Sequence, residues 1–185
     1  MNIRLLRRNL ALALVLCCLG AVGVYGLMVQ VTLAHLQTVS GLVPLDMRPF
    51  GYGQDDVSAL FGALGAPGRN YYLTRQIPLD LAYPALMGLS LVLANMWFGA
   101  RLEQRRFLAF SCLVATLAAL ADYLENLGIV VMILRWPEVS ETVINLSSSA
   151  TIAKSVLTTV AVLSTLYVIL RWAHSSLRRR IRRRV

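Results

Sequence analysis

The chain has 185 residues, 57% of them hydrophobic, and a mean hydropathy of +0.64. This composition excludes an ordinary soluble domain. The formal net charge is +9, from 18 basic and 9 acidic residues. In a membrane protein, the position of the basic residues along the chain indicates which side of the membrane each loop faces.

Four apolar segments are long enough to cross a membrane, because about 20 apolar residues in a helix span the ~30 Å hydrocarbon core. They cover about residues 10–36, 79–100, 107–134 and 149–171. We find no internal repeat and no low-complexity linker. The sequence therefore predicts an all-α, polytopic membrane protein: a four-helix antiparallel bundle forming a single integral membrane domain over residues 1–185.

The first apolar segment follows three arginines, as a signal peptide would. The apolar core of a cleavable signal is shorter, about 7–15 residues, and ends at a small-x-small site. Here the apolar stretch continues to Leu36. We interpret it as an uncleaved membrane helix, with a cleaved signal as the alternative.

The basic residues are distributed unequally between the two sides of the membrane. If four helices cross in alternation, thirteen of the eighteen basic residues fall on the side of the two termini, together with one acid, Glu103. The other side has five basic residues and the remaining eight acids. The positive-inside rule then predicts a multi-pass protein of the cell inner membrane with both termini cytoplasmic.

The tail, residues 172–185, is rich in arginine. Beside a membrane helix, such a run sets topology and attracts anionic lipid, at about 1 kcal/mol per basic residue. No aromatic residues alternate with these arginines, as they would in a single-strand binder. We therefore expect anionic lipid, and no nucleic acid, at this tail.

The outer loop, residues 37–77, is too long to be only a connector. Asp55 and Asp56 begin a predicted short amphipathic helix, which Gly65 is placed to end. Residues 67–72 are rich in turn formers, and we expect the whole loop to fold back over the outer mouth of the bundle. Within it, Arg75 is a candidate ligand for a carboxylate or a lipid headgroup, with a solvated loop charge as the alternative.

The second helix begins with an acid and a proline. Proline at position 84 has no amide N–H and displaces the carbonyl of residue 80, so it frees the carbonyl of Asp80. Asp80 and Tyr83 are then candidate ligand-binding residues. Alternatively, Asp80 is stabilised by the helix dipole and Tyr83 belongs to the interfacial aromatic belt.

The third helix has two distinct faces. Asp122 and Asn126 share one face with small residues, and Glu125 lies beside it, whereas the opposite face is a stripe of leucines. Small residues allow helices to pack closely in lipid, so the polar face is predicted to lie inside the bundle.

The fourth helix has a matching polar face that contains Lys154 and Thr158. In an antiparallel hairpin we expect Lys154 to pair with Glu125 or Asp122, and one cation cannot neutralise both. Such a cluster suits a proton carrier, a cation site or a hydrogen-bond donor. The alternative is a polar contact that only fixes the helix register.

The cysteines and histidines indicate no cofactor and no metal site. All three cysteines lie in apolar helices, without a Cys-x-x-Cys pair. His35 and His174 fall on opposite sides of the membrane, which excludes haem ligation by a histidine pair within one chain.

Residues 65–72, 80–84 and the Asp-x-x-Glu-Asn motif at residues 122–126 together resemble small bacterial four-helix integral membrane proteins of uncharacterised function. The resemblance covers the second and third helices and the loop before them. It implies an inner-membrane setting and brings no activity to this chain.

The sequence therefore predicts a buried carboxylate site that opens to the outer face and binds a lipid headgroup, a cation or a small amphiphile. The candidate ligand-binding residues are Asp80, Tyr83, Asp122, Glu125, Asn126, Lys154, Thr158 and Arg75. An accessory role beside a partner membrane protein, or in a homo-oligomer, remains open. The alternative function is an enzyme acting on a lipid or isoprenoid, with Asp122 or Glu125 as general acid or base.

Overall fold

A computed structural model describes residues 3–100 and 102–182. Within this part of the chain there are helices and no strands. The α-helices are α1 (Ile3–Leu27), α2 (Leu33–Ser40), α3 (Gln54–Tyr71), α4 (Ile77–Gly99), α5 (Arg105–Arg135) and α6 (Glu141–Arg182). Two π-helical turns, Met28–Thr32 and Tyr72–Gln76, join α1 to α2 and α3 to α4 without a break, and a 3₁₀ turn covers Leu45–Met47.

Four helical segments are long and apolar enough to cross a membrane: Leu5–Ser40, Gln54–Gly99, Arg105–Arg135 and Glu141–Arg178. The chain is thus a multi-pass membrane protein with the predicted four-helix antiparallel bundle. We call the end that contains residues 41–53 and 136–140 the loop end. The end that contains residues 102–104 and the start of α1 is called the terminal end.

The helices differ in extent from the prediction. The last one begins at Glu141 rather than near residue 149, and the first continues to Ser40. Residues 67–72, expected to be a turn, are helical. Gly65 does interrupt α3, with φ 60° and ψ −176°, and Pro67 then lies in the first turn of the helical stretch after the break, where a missing N–H costs little.

The bundle has a core of three helices with a fourth at its side. α4, α5 and α6 pack on one another, whereas α1 packs along α4 and has no comparable contact with α5 or α6 among the described residues. Glycines permit the close approaches. A Cβ at Gly88 would lie 3.2 Å from the Cβ of Ala119, and one at Gly20 would lie 3.3 Å from Leu86.

The two predicted faces of α5 are confirmed. Ala115, Asp122 and Asn126 are buried, as is Glu125 beside them. The opposite leucines are exposed on the surface that would meet lipid, and they are Leu113, Leu117, Leu120, Leu124 and Leu127. The small and polar residues therefore contact the other helices.

The loop before the second span folds back over the end of the bundle, as predicted. Leu45 and Tyr52 of the loop pack with Phe61 of α3 and with Ile129 and Ile144 of the bundle in one buried cluster. Most of the predicted loop is helical, because α3 continues into α4, and residues 41–53 form the irregular part.

Aromatic residues mark the two ends of the bundle. Trp97, Phe98 and Trp172 form one cluster at the terminal end. The rise of α5 from Phe107 to the loop-end Trp136 is about 43 Å, which matches the ~40–45 Å of a bilayer with its headgroups. The predicted basic tail, residues 172–185, continues α6 as far as residue 182, and residues 183–185 lie outside the described residues.

Candidate functional site

Lys154 joins α6 to α5, as the sequence predicted. Its Nζ pairs with Oε2 of Glu125 and lies 3.5 Å from Oδ1 of Asp122. Thr151 donates a hydrogen bond of 2.6 Å to Oε1 of Glu125. Glu125 is completely buried; its Oε1 accepts the bond from Thr151, and its Oε2 has the ion pair with Lys154 but no hydrogen bond.

Asp80, from α4, adds a third carboxylate to those of Glu125 and Asp122. The helix continues through Pro84, and the carbonyl that this proline frees accepts a 2.9 Å hydrogen bond from Nδ2 of Asn126. The same Nδ2 lies 3.4 Å from Oδ1 of Asp122. The carbonyl of Asp80 is thus free within its own helix, as predicted from Pro84, whereas the role of Asp80 as a ligand-binding residue stays a prediction.

Asp46, in the 3₁₀ turn of the loop, is a further member of the site that the sequence did not reveal. Tyr72 donates a hydrogen bond to its Oδ1 at 2.8 Å, and Gln76 donates from Nε2 to its Oδ2 at 2.9 Å. Thr32 in turn donates to Oε1 of Gln76, which fixes the orientation of the amide. Asp46 is therefore held over the bundle by two buried side chains.

The two π-helical turns provide these partners. Thr32 belongs to Met28–Thr32, and Tyr72 and Gln76 are the first and last residues of Tyr72–Gln76. The turns contact each other. A π-turn inserts an extra residue into a helix and is frequent at functional sites. Here the two π-turns contact each other at the end of α1 and the start of α4, close to the carboxylates.

A cavity of about 290 Å³ lies between these groups. Its lining combines three carboxylates, one lysine, two hydroxyl side chains, two tyrosines and an apolar wall. The lining residues are Tyr25, Met28, Leu33, Asp46, Met47, Pro49, Asp80, Tyr83, Asp122, Lys154, Ser155 and Thr158. The ring centroids of Tyr25 and Tyr83 are 5.4 Å apart, so the two tyrosines form one aromatic wall.

The structure brings most of the predicted site residues together. Asp80, Tyr83, Asp122, Lys154 and Thr158 line the cavity. Tyr83, Asp122 and Thr158 also line a separate void of about 20 Å³ between α4, α5 and α6.

Three predicted residues lie elsewhere. Glu125 and Asn126 are buried behind the cavity wall and do not line it. Arg75 is exposed in a π-helical turn, away from the cavity, and makes no ion pair with any described residue. Its predicted role as a headgroup ligand stays a prediction.

Asp80 has an unsatisfied oxygen at this cavity. The residue is only 3% exposed, and its Oδ2 has no hydrogen-bond partner. A buried polar atom without a partner costs about 1–3 kcal/mol, more if it is charged. Because Asp80 also lines the cavity, its carboxylate is a candidate acceptor for a ligand that donates a hydrogen bond or carries positive charge.

Tyr52 fastens the loop to α6 beside the site. Its hydroxyl lies 2.7 Å from Oγ of Ser147, and its backbone N–H donates to Oγ of Ser148 at 2.8 Å. Burial raises the pKa of Tyr52 to about 12, although the hydrogen bond with Ser147 acts in the opposite direction. The hydroxyl is therefore neutral at physiological pH, and Tyr52 attaches the loop to α6 on the C-terminal side of Asp46.

The chemistry available at the cavity is limited to carboxylates, hydroxyls and one amine. Its lining contains no histidine and no cysteine. In the described part of the chain, no three His, Cys, Asp or Glu side chains are grouped closely enough to hold a metal ion. For the enzyme alternative, Asp122 is the carboxylate that a substrate in the cavity would reach.

Comparison of the chain with family models gives no match, and comparisons with curated proteins and with solved structures also give none. The function is therefore inferred from the geometry of the cavity. The resemblance to small bacterial membrane proteins stays a prediction.

Proposed function

We propose that the protein is an inner-membrane protein that binds the ammonium group of an amphiphile in the cavity between α1, α4, α5 and α6. The observation that carries the proposal is the excess of acid. Asp46, Asp80 and Asp122 line the cavity with Lys154 as the single cation, and Oδ2 of Asp80 has no partner.

The charges support a cationic ligand. Lys154 is shared between Glu125 and Asp122, so it is already engaged by two acids. Among the described residues, neither Asp46 nor Asp80 forms an ion pair with a basic side chain. An ammonium group near these two carboxylates would gain Coulomb energy in a site with little water, and an anionic group would be repelled.

The walls support an organic cation. Tyr25 and Tyr83 present aromatic rings, and cation–π contacts with tyrosine contribute about 0.5–2 kcal/mol. Met28, Leu33 and Pro49 add apolar surface. Carboxylates together with apolar and aromatic side chains suit a primary or quaternary ammonium attached to carbon.

Binding can be tested by thermal unfolding in a non-ionic maltoside detergent. Ethylammonium chloride should raise the unfolding midpoint relative to potassium chloride at the same ionic strength, because a ligand of the native state stabilises it. Asp46→Asn and Asp80→Asn should each weaken binding by about 1–3 kcal/mol. The matched control is Asp55→Asn, the same change at an exposed acid on α3.

The proposal fails if the double variant Asp46→Asn, Asp80→Asn responds to ethylammonium as the unchanged protein does. It also fails if potassium and ethylammonium act alike. Native mass spectrometry of protein extracted from its own membrane would identify the amphiphile, and an amine should be present in the bound species.

We further propose that the loop end faces the periplasm, because most arginines fall at the terminal end. Single cysteines at Asp55, Glu103 and His174, all exposed, test this orientation in a background without Cys17, Cys18 and Cys112. A reagent that does not cross the membrane should label position 55 alone in intact spheroplasts. Labelling of position 103 or 174 would contradict this orientation and place the terminal end in the periplasm.

A further inference from the structure

We infer that the ligand is a resident of the bilayer that enters the cavity sideways between α1 and α6. Its ammonium group lies among the carboxylates, and its alkyl chain runs between the two helices toward the terminal end. This inference rests on the proposed function, since it takes the ammonium site as given. It adds the source of the ligand and its route.

The two helices that border the route do not pack against each other. α1 packs along α4, and α6 packs on α4 and α5, while α1 and α6 have no comparable contact in the parts described. Both nevertheless contribute to the cavity wall, α1 through Tyr25 and α6 through Lys154, Ser155 and Thr158. The cavity therefore has a side on which no helix separates it from the lipid.

The exposure of Tyr25 marks this open side. Tyr25 lines the cavity and is still 48% exposed, whereas Asp80, which also lines it, is 3% exposed. A side chain that borders a cavity and also reaches the outer surface of a membrane helix lies at its lateral mouth. Its aromatic ring is amphipathic, which suits the boundary between a polar site and acyl chains.

The loop segment borders the cavity at its loop end. Asp46, Met47 and Pro49 form the wall on that side, and the hydrogen bonds from Tyr72 and Gln76 hold Asp46 in place. Met47 (42% exposed) and Pro49 also reach the surface of the loop end, which faces headgroups and water. Leu45, the residue before Asp46, is completely buried. An alkyl chain attached to a bound ammonium group is directed away from the loop end, because the hydrocarbon core lies on the terminal side of the cavity.

The depth of the site leaves room for such a chain. Lys154 lies about 27 Å along α6 from Trp172 of the terminal-end aromatic cluster, close to the full ~30 Å of the hydrocarbon core. A headgroup among the carboxylates thus lies near the loop-end surface of the bilayer. The exposed Val22 of α1 and the partly buried Val162 of α6 lie one turn from Tyr25 and Thr158 and provide apolar surface on the terminal side of the cavity.

The occupant is therefore an amphiphile with an ammonium headgroup and an alkyl chain, drawn from the loop-end leaflet. The excess of carboxylates selects the headgroup, and the lateral mouth selects a ligand that is already in the membrane.

The experiment uses dodecylamine that carries a photoactivatable diazirine near the end of its chain, bound to the unchanged protein in non-ionic detergent. After illumination, mass spectrometry of peptides should find the label on the part of α1 before Tyr25 and on the part of α6 after Thr158. An excess of ethylammonium, which has the same headgroup without the chain, should reduce this labelling by about tenfold at saturation of the site. The leucine stripe of α5 is the control for non-specific contact with lipid.

Three outcomes separate the two proposals. Labelling that ethylammonium and the Asp46→Asn, Asp80→Asn variant both suppress, confined to α1 and α6, supports the lateral route. Suppressible labelling on residues 41–53 supports the ammonium site but overturns the lateral route. Labelling that neither treatment suppresses, spread equally over the α5 leucines, overturns the ammonium site and the route with it.

Discussion

Asn126 donates a hydrogen bond of 2.9 Å to the backbone oxygen of Asp80, the acceptor that Pro84 leaves free in its own helix. A proline within a membrane helix is tolerated when a neighbouring helix supplies the missing donor. Here the donor comes from the Asp-x-x-Glu-Asn motif of α5. The bond places the carboxylate of Asp80 beside that of Asp122 at the cavity.

We predict that Asn126 and Pro84 are energetically coupled. Asn126→Leu leaves the Asp80 carbonyl without a donor and should lower the free energy of unfolding by about 1–3 kcal/mol. With Pro84→Ala, the new amide at residue 84 can reach that carbonyl, so the same Asn126→Leu change should cost less. Denaturant unfolding in detergent, followed by circular dichroism, measures all four proteins of the cycle.

Asn95→Leu is the control for this cycle. Asn95 is also buried, but it donates to Thr165 and to the backbone of Leu91, far along α4 from Pro84. Its effect should add to that of Pro84→Ala. If Asn126→Leu is equally additive, the freed carbonyl does not depend on Asn126.

Lys154 should contribute to stability through Glu125 more than through Asp122. Lys154→Met leaves the completely buried Glu125 without its cation, and loss of one partner from a buried pair costs about 3–5 kcal/mol. Adding Glu125→Gln should restore more of this loss than adding Asp122→Asn, because Asp122 lies 3.5 Å from the amine and also borders the cavity.

The matched control is Arg75→Met, since Arg75 is exposed and has no ion pair in the described structure. It should change the free energy of unfolding by less than about 0.5 kcal/mol. Equal restoration by Glu125→Gln and Asp122→Asn would show that Lys154 does not favour either acid.

The site residues that lie in regular helices could be predicted from the sequence. The spacing of Asp122 and Asn126 among alanines placed them on the packed face of α5, and the matching face of α6 paired Lys154 with the acids. Helical periodicity and the alternation of spans were sufficient, because those residues lie in regular, antiparallel helices. The proline at residue 84 likewise indicated which carbonyl would be free.

Asp46 could not be predicted, because no periodicity governs residues 41–53. Its place depends on how the loop folds back and on the two π-turns that bring Thr32 and Gln76 together. An inserted residue in a helix leaves no clear mark in the sequence. For the same reason residues 67–72 were wrongly expected to be a turn: the sequence shows the glycine and the proline, but not that packing continues the helix after the break at Gly65.

The two loop glycines with positive φ should differ in their sensitivity to alanine. Gly41 has φ +70° with nothing within 4 Å of its added Cβ, so Gly41→Ala should cost about 1–2 kcal/mol from backbone strain alone. Gly51 has φ +86°, and its Cβ would lie 2.5 Å from Oγ of Ser148, the acceptor for the N–H of Tyr52.

Gly51→Ala should therefore be more destabilising than Gly41→Ala, and it should also weaken ethylammonium binding, because the loop that holds Asp46 is displaced. Thermal unfolding with and without ethylammonium measures both effects. Equal losses of stability, with binding unchanged in both variants, would mean that the contact with Ser148 does not position the loop.

Tyr52 should make the stability of the protein sensitive to alkaline pH. Burial raises its pKa to about 12 in the folded protein, against about 10 in an unfolded chain. The neutral hydroxyl therefore stabilises the fold fully below pH 10, and this contribution is lost as the pH rises toward 12, since the unfolded chain releases the proton first. The loss amounts to roughly 2–3 kcal/mol.

Tyr52→Phe keeps the ring and removes the titrating group. Between pH 10 and 12 the variant should lose less stability than the unchanged protein, by about the same 2–3 kcal/mol. At pH 7 it should be less stable by about 1 kcal/mol, since Ser147 loses a hydrogen-bond partner. Denaturant unfolding at pH 7, 10 and 12 measures both differences. Parallel curves for the two proteins above pH 10 would show that Tyr52 is not buried against α6, and the loop would then not be fastened beside Asp46.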